Sequence, residues 1–130
     1  MSDNAKGIIN IVIMTKQEIL EESVLQALDT VAEQATEQAT KMIANLFKSA
    51  VLKKYKDAFN QELAQGKVHR KIIDKAVEFC YSDICASIRI WPGMSDNDKE
   101  KLTQEAKRIK EFVKVDVERI LVGKGIEIVS

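Results

Sequence analysis

Residues able to do covalent or metal chemistry are few in this chain, and their spacing keeps them apart. There is one histidine, His69, and there are two cysteines, Cys80 and Cys85. A cysteine nucleophile needs a base within hydrogen-bond reach. His69 and Cys80 stand about three turns apart on what reads as one helix. His69 shares a face there with Ile72, Ile73 and Ala76, which makes it a first-turn side chain half covered by its neighbours. Cys80 and Cys85 are rotated about 140° from each other by helical geometry, so they cannot both meet one ion and no Cys/His zinc site is expected. Cys80 falls on the apolar stripe and behaves as a small core residue. The Glu-x-x-His pair of di-iron bundles is missing. Gly123-Lys124-Gly125 lacks the spacing and the Ser/Thr of a phosphate-binding loop. No catalytic residue, metal ligand or cofactor is therefore expected, and the chain does not read as an enzyme.

Charge offers the best lead to a binding site. Twenty basic and twenty acidic side chains cancel overall, which gives no general reason to expect nucleic acid or an anionic membrane. The distribution is uneven: residues 1–47 carry net −4, residues 48–75 net +5 and residues 76–130 net −1. Lys53, Lys54 and Lys56 lie behind the stripe Val51, Tyr55 and Phe59. Lys67, Arg70, Lys71 and Lys75 follow at helical spacing. A hairpin around Gly66 brings both clusters to one end, where they suit phosphates or an acidic protein surface. A nucleic-acid or nucleotide-binding regulator is one reading of that block. The other is that the acidic N-terminal region neutralises it. No aromatic motif of the RNA-binding kind is present, and the Trp91 turn is a poor match to a helix-turn-helix.

The elements that must position these residues are helices. Thr15 to Gln65 contains no glycine or proline, the residues that punctuate helices, and opens with a capping box at Thr15-Lys16-Gln17-Glu18. Apolar or small residues recur at Leu20, Val24, Leu28, Val31, Ala35, Ala39, Met42 and Leu46, which is the helical period. From Ile43 the step becomes four, through Phe47, Val51, Tyr55, Phe59 and Leu63. At about 100° per residue such a stripe winds roughly 200° around the axis. One straight helix here measures about 75 Å, against a radius of gyration of about 14 Å for a compact chain of this length. Either the helix breaks, first at Asp29-Thr30, where Thr30-Val31-Ala32-Glu33 is a second capping box, or at Lys48-Ser49, or it stays long and covers its surface with other subunits. Between these lies a tandem Glu-Gln-Ala-Thr repeat over residues 33–40, a polar waist with Ala35 and Ala39 on one face.

The remaining segments are shorter. Gly7 to Ile13 and Gly125 to Val129 are rich in β-branched residues and read as strands. A lone two-stranded ribbon is marginal in water, so they pair against the helices or across a subunit boundary. A second helix begins near Lys67 and stops at Trp91-Pro92-Gly93. A third, capped by Ser95 or Asp96, carries Leu102, Ala106, Ile109, Val113, Val117 and Ile120 as its stripe, with Phe112, Leu121 and Val122 beside it. Lys101/Glu105, Glu105/Arg108, Lys107/Glu111, Lys114/Glu118 and Asp116/Arg119 mark its outer face as solvated.

The whole is expected to be one domain of class all-α, an elongated bundle of three to four helices with short strand-like N- and C-terminal segments. Its parts are an arm at 1–14, a long or once-broken helix at 15–65, helices at 67–91 and 95–122, and a tail at 125–129. One proline and five glycines do not supply the turns of an all-β fold. The apolar run before Met14 lacks the flanks of a secretory signal and is too short to span a bilayer. With its two thiols suggesting no disulfide framework, the chain reads as cytoplasmic, without a membrane partner. Its expected function is a non-enzymatic protein–protein interaction or adaptor role as a homo-oligomer. The candidate interface is Val31, Ala35, Ala39, Met42, Leu46 and Trp91, and the candidate partners are self, an acidic protein or nucleic acid. A small-ligand-binding or catalytic helical domain is the remaining alternative.

Overall fold

The computed structural model describes residues 19–53 and 66–130. They form an all-α bundle with two short strands. Helix α1 is described over 19–34, and α2 is Gln38–Lys53. Strand β1 is Lys67–His69, α3 is Arg70–Arg89, α4 is Asp96–Gly123 and β2 is Glu127–Val129. The capping box at Thr15, the arm from Gly7 to Ile13 and the stripe positions Tyr55, Phe59 and Leu63 lie outside the described residues.

Helix α4 is the element on which the others lie. Ser95 starts it: its backbone is extended and its hydroxyl accepts the Asp98 amide at 3.2 Å. Asp96 and Asp98 in the first turn place negative charge at the positive end of the helix. All six residues of its expected stripe, Leu102 to Ile120, are buried, and so is Leu121. Helix α3 runs back along it, burying Ile73, Ala76, Val77, Cys80, Ile84 and Ile88. Arg70 at its start meets Glu118, while the Arg89 carbonyl at its end accepts from Lys99 Nζ at 2.7 Å. The α3–α4 turn is the expected Trp91-Pro92-Gly93 stop, with Gly93 at φ +76°.

Among the described residues the first region breaks once, at neither expected place. Residues 35–37 leave the helix, inside the Glu-Gln-Ala-Thr repeat, and the Lys41 amide bonding to the Glu37 carbonyl at 3.3 Å opens α2. Thr30 does not cap a helix. Its hydroxyl donates instead to the Gln26 carbonyl at 3.1 Å, one turn back within α1. Lys48-Ser49 is likewise helix interior, and Lys48 Nζ reaches Asp29 of α1 at 2.5 Å. The break falls where no large apolar side chain needs burying between Val31 and Met42, so leaving the helix there exposes least. Folded back, this region buries Leu20, Val24, Leu28, Ile43, Phe47 and Val51 within its own chain.

The strands differ from expectation in one partner. Lys67–His69, expected as the first turn of a helix, is strand. It pairs in parallel with β2, Val68 opposite Ile128. Gly66 and Gly125 stand just before the two strands at φ +68° and +83°, a region side-chain-bearing residues rarely adopt. The extended backbone of His69, at ψ 135°, delays the helix to Arg70. Val68 is buried and His69 exposed, so the histidine is a strand side chain and not part of the α3 face. Main-chain bonding at Glu127 N to Gly66 O, 2.9 Å, extends the pairing by one residue. The α3–α4 hairpin is the crossover between the two parallel strands, and Val68 and Ile128 pack on the helical core.

Two contrasts test this account by chemical denaturation. Phe47 is fully buried and Phe79 is exposed; Phe47→Ala should cost about 3–5 kcal/mol and Phe79→Ala under about 1 kcal/mol. Ser95→Ala should cost about 1 kcal/mol as a lost cap, whereas Thr30→Ala should be neutral or slightly stabilising.

Candidate functional site

The repeat at which the first region breaks is also where the structure opens a cavity. A volume of about 380 Å³ lies between the α1–α2 turn and the first half of α4. Its polar floor is one hydrogen-bonded set. The buried Thr40 hydroxyl donates to Glu105 Oε1 at 2.9 Å, joining α2 to α4. Arg108 Nε donates to Glu105 Oε2 at 3.2 Å, and a terminal guanidinium nitrogen bonds Oε1. The hydrogen bond from Arg108 holds the Glu105 carboxyl below its ordinary range, with the Thr40 bond adding to it. Glu105 in turn raises Arg108, and Glu37 adds a further attraction from the α1–α2 turn. Val31, Ile109 and Phe112 are apolar members of the lining, and Gln34 and Thr36 are polar ones.

A second polar cluster lies between α3 and α4. Lys110 is buried, with Nζ 3.0 Å from Glu78, 3.5 Å from Glu111 and 4.2 Å from the centre of the Tyr81 ring. Lys114 also reaches Glu78, at 2.7 Å. Glu78 is held below the ordinary carboxylate range first by the Lys114 hydrogen bond and then by Lys110. Burial is the main reason the Tyr81 phenol is pushed up to about 12, with a contribution from Cys85. Asp116, also buried, bonds Arg119 through Oδ1 at 2.8 Å, while Oδ2 has no hydrogen-bond partner. The outer face of α4 is therefore not uniformly solvated: Lys110 and Asp116 belong to the interior. Of the expected pairs, Glu105/Arg108 and Asp116/Arg119 form, while Lys114 crosses to α3. A signal for this exists in the sequence. Lys110 and Asp116 each lie three residues from Val113, only about 60° from the middle of the buried stripe.

The basic block is divided. Lys54 and Lys56 lie outside the described residues. Lys67 approaches Glu127 at 3.9 Å, and Arg70 bonds Glu118 and Ser130. Those acids come from α4 and β2, whereas Lys48, at the start of the block, pairs with Asp29 of the N-terminal region. Lys75 lies over the Phe79 ring, Lys71 is exposed, and Lys53 stands across a shallow groove from Asp83 and Ser87 of α3. Of the candidate interface residues, Val31, Ala39, Met42 and Leu46 are half-buried against this chain's own core, and Ala35 and Trp91 are half-buried as well. Among the described residues the large apolar side chains left exposed are Leu52 of α2, Phe79 of α3, Ile90 after α3, and Phe112, Val115 and Val122 of α4.

Cys80 is fully buried, and burial pushes its thiol up to about 12. It sits inside the bundle on α3, while His69 is an exposed residue of β1. Among the described residues no group of three or more His, Cys, Asp and Glu could hold a metal ion. No described helix is long and apolar enough to cross a membrane. The fold places the chain in the class of all-α bundles with short strand segments. No protein-family model, curated protein or solved structure matches it.

The Glu78 cluster makes stability depend on acid. A carboxylate whose folded pKa lies below its unfolded value stabilises fully above the unfolded pKa and loses that contribution as pH falls through the folded one. Glu78 is nearly half exposed, so solvent screening limits the effect to under about 1 kcal/mol. Urea midpoints measured between about pH 6 and 3 should fall less steeply for Glu78→Gln than for the unaltered chain.

Proposed function

We propose that this protein is a non-enzymatic interaction or adaptor protein acting as a homo-oligomer, in which two copies join α4 to α4, antiparallel, across a two-fold axis at Val115. The described part of the first region does not supply that surface, because Leu20, Val24, Leu28, Ile43, Phe47 and Val51 are covered once the chain folds back at 35–37. The outward face of α4 supplies it. Phe112 is 39% exposed, Val115 69% and Val122 60%, on a helix whose opposite face forms the core.

The geometry of that face favours one pairing. Val122 follows Val115 by two turns and lies nearly in line with it. Phe112 and Arg119 lean to the same side of that line, by about 60° and 40°, about 4.5 Å before and 6 Å after Val115. A two-fold axis across the helix reverses its direction and keeps the side. It therefore sets Arg119 of one copy over the partner subunit's Phe112, and does so twice. A guanidinium over an aromatic face contributes about 0.5–2 kcal/mol. A parallel pair makes no such match. The other flank carries Glu111 and Glu118, each already near a cation of its own copy, Lys110 and Arg70, so repulsion across the seam is weak. Such a self-complementary patch is the commonest route to a closed dimer.

Light-scattering chromatography at micromolar concentration should give twice the 14.6 kDa of one chain. Val115→Lys, at an exposed position, should return the mass to that of one chain without changing the far-ultraviolet circular dichroism. Arg119→Ala removes both contacts and should weaken association about fivefold to several hundredfold. A single-chain mass for the unaltered protein up to about 100 μM rejects the reading.

A further inference from the structure

The cavity at the α1–α2 break shares Phe112 and Arg108 with the outer face of α4, but it adds groups from α1 and the turn that self-association does not use. Both oxygens of Glu105 are occupied, by Thr40 and by two nitrogens of Arg108. Arg108 is largely exposed, and its Nη1 takes no part in that pair. Glu37, exposed, lines the same cavity, and its side chain makes no hydrogen bond or short ion pair among the described residues. The lining thus offers one open cationic donor and one open carboxylate. Gln34 and Thr36 add neutral polar groups, and Val31, Ile109 and Phe112 add apolar ones. At about 380 Å³ the space lies at the small end of the roughly 300–1,000 Å³ typical of ligand sites.

A ligand that satisfies all of this carries a positive group, a negative group and an apolar body. We propose that the cavity binds a free α-amino acid with an apolar side chain: its ammonium meets Glu37, its carboxylate meets Arg108 Nη1, and its side chain lies against Val31 and Phe112. A simple amine leaves Arg108 unanswered, and a simple carboxylate leaves Glu37 unanswered. A larger anion, such as a nucleotide, meets the charge of Glu37 and Glu105 in the lining. The site joins α1, the turn, α2 and α4, so an occupant ties the fold-back to the central helix and should stabilise it by mass action.

The test is titration of the full chain with L-leucine and L-phenylalanine, followed by nuclear magnetic resonance. Saturable shifts confined to the amides around Ala35, Thr36, Thr40 and Arg108, with a dissociation constant on the order of 0.1–1 mM, support the proposal. N-acetyl-phenylalanine, which lacks the ammonium, and phenylalaninamide, which lacks the carboxylate, should each bind about tenfold more weakly or worse. Glu37→Gln and Arg108→Gln should each lose about tenfold or more for the free amino acid. Both positions are exposed, and circular dichroism confirms that the variants fold. Glu37 lies off α4, so its variant leaves the self-association face intact. No shift at about 10 mM ligand, equal binding of the capped compounds, or unchanged binding by Glu37→Gln overturns the proposal.

Discussion

A stripe that steps every four residues on a helix turning 100° per residue cannot stay on one side. On one straight helix the residues this chain buries between Leu20 and Val51 would spread over about 220°, which leaves part of them in water at about 25 cal/mol per Å². The break at residues 35–37 resolves the conflict. It resets the phase of the stripe, so that Leu20, Val24 and Leu28 before it and Ile43, Phe47 and Val51 after it all turn inward. Everything else follows from that reversal. Helix α2 can then pack on both α3 and α4, and Thr40 comes within bonding distance of Glu105. The turn itself cannot close flush against α4, because the repeat supplies alanine, threonine and glutamate where a core residue would be needed. The cavity is the residue of that incomplete closure.

Much of the fold was legible in the residues, and the misses share a cause. The stripe of α4, the Ser95 cap and the Trp91-Pro92-Gly93 stop are local features, set by periodicity and by missing or available amides, and they stand as read. The break was placed wrongly because a capping box is only a capacity. Thr30 has two uses for its hydroxyl, and inside a helix it donates backward to Gln26. Which use wins depends on where burial needs the chain to turn, a tertiary matter. Lys67–His69 was misread for a similar reason. Its parallel partner lies about 60 residues further on, and three residues have no period of their own.

The site was less legible than the fold. Its residues come from the α1–α2 turn, from α2 and from α4, and sequence order does not announce that Thr40 and Glu105 meet. The tandem repeat did mark the place. A polar segment without large side chains, lying between two apolar stretches, is where a compact chain can spare a turn. The charged core residues Lys110 and Asp116 were accessible in principle. Their angular distance from Val113 is fixed by helix geometry, but counting i+3 and i+4 charge pairs along α4 hides it. Burial of Lys110 is sustained by what α3 brings over it, Glu78 and the Tyr81 ring, since an ammonium removed from water needs both a counter-charge and a polarisable face.

Helix α4 therefore faces two ways with different logic. Its inner stripe is continuous and aliphatic, and is fully covered by one chain. Its outer face is discontinuous: Phe112, Val115 and Val122 are separated by Glu111, Glu118 and Arg119. A continuous exposed stripe invites any apolar surface, including the wrong register. Interruption by charge lowers the gain from burial but ties it to a partner that meets the charges in place. Opposite cations within the chain, Lys110 and Arg70, already attend the acids. Arg119 differs, because only part of its guanidinium is needed by Asp116 and the side chain remains largely in solvent. The helix thus keeps a cation and an aromatic ring at similar distances either side of one residue, the arrangement on which the proposed pairing with a reversed copy rests.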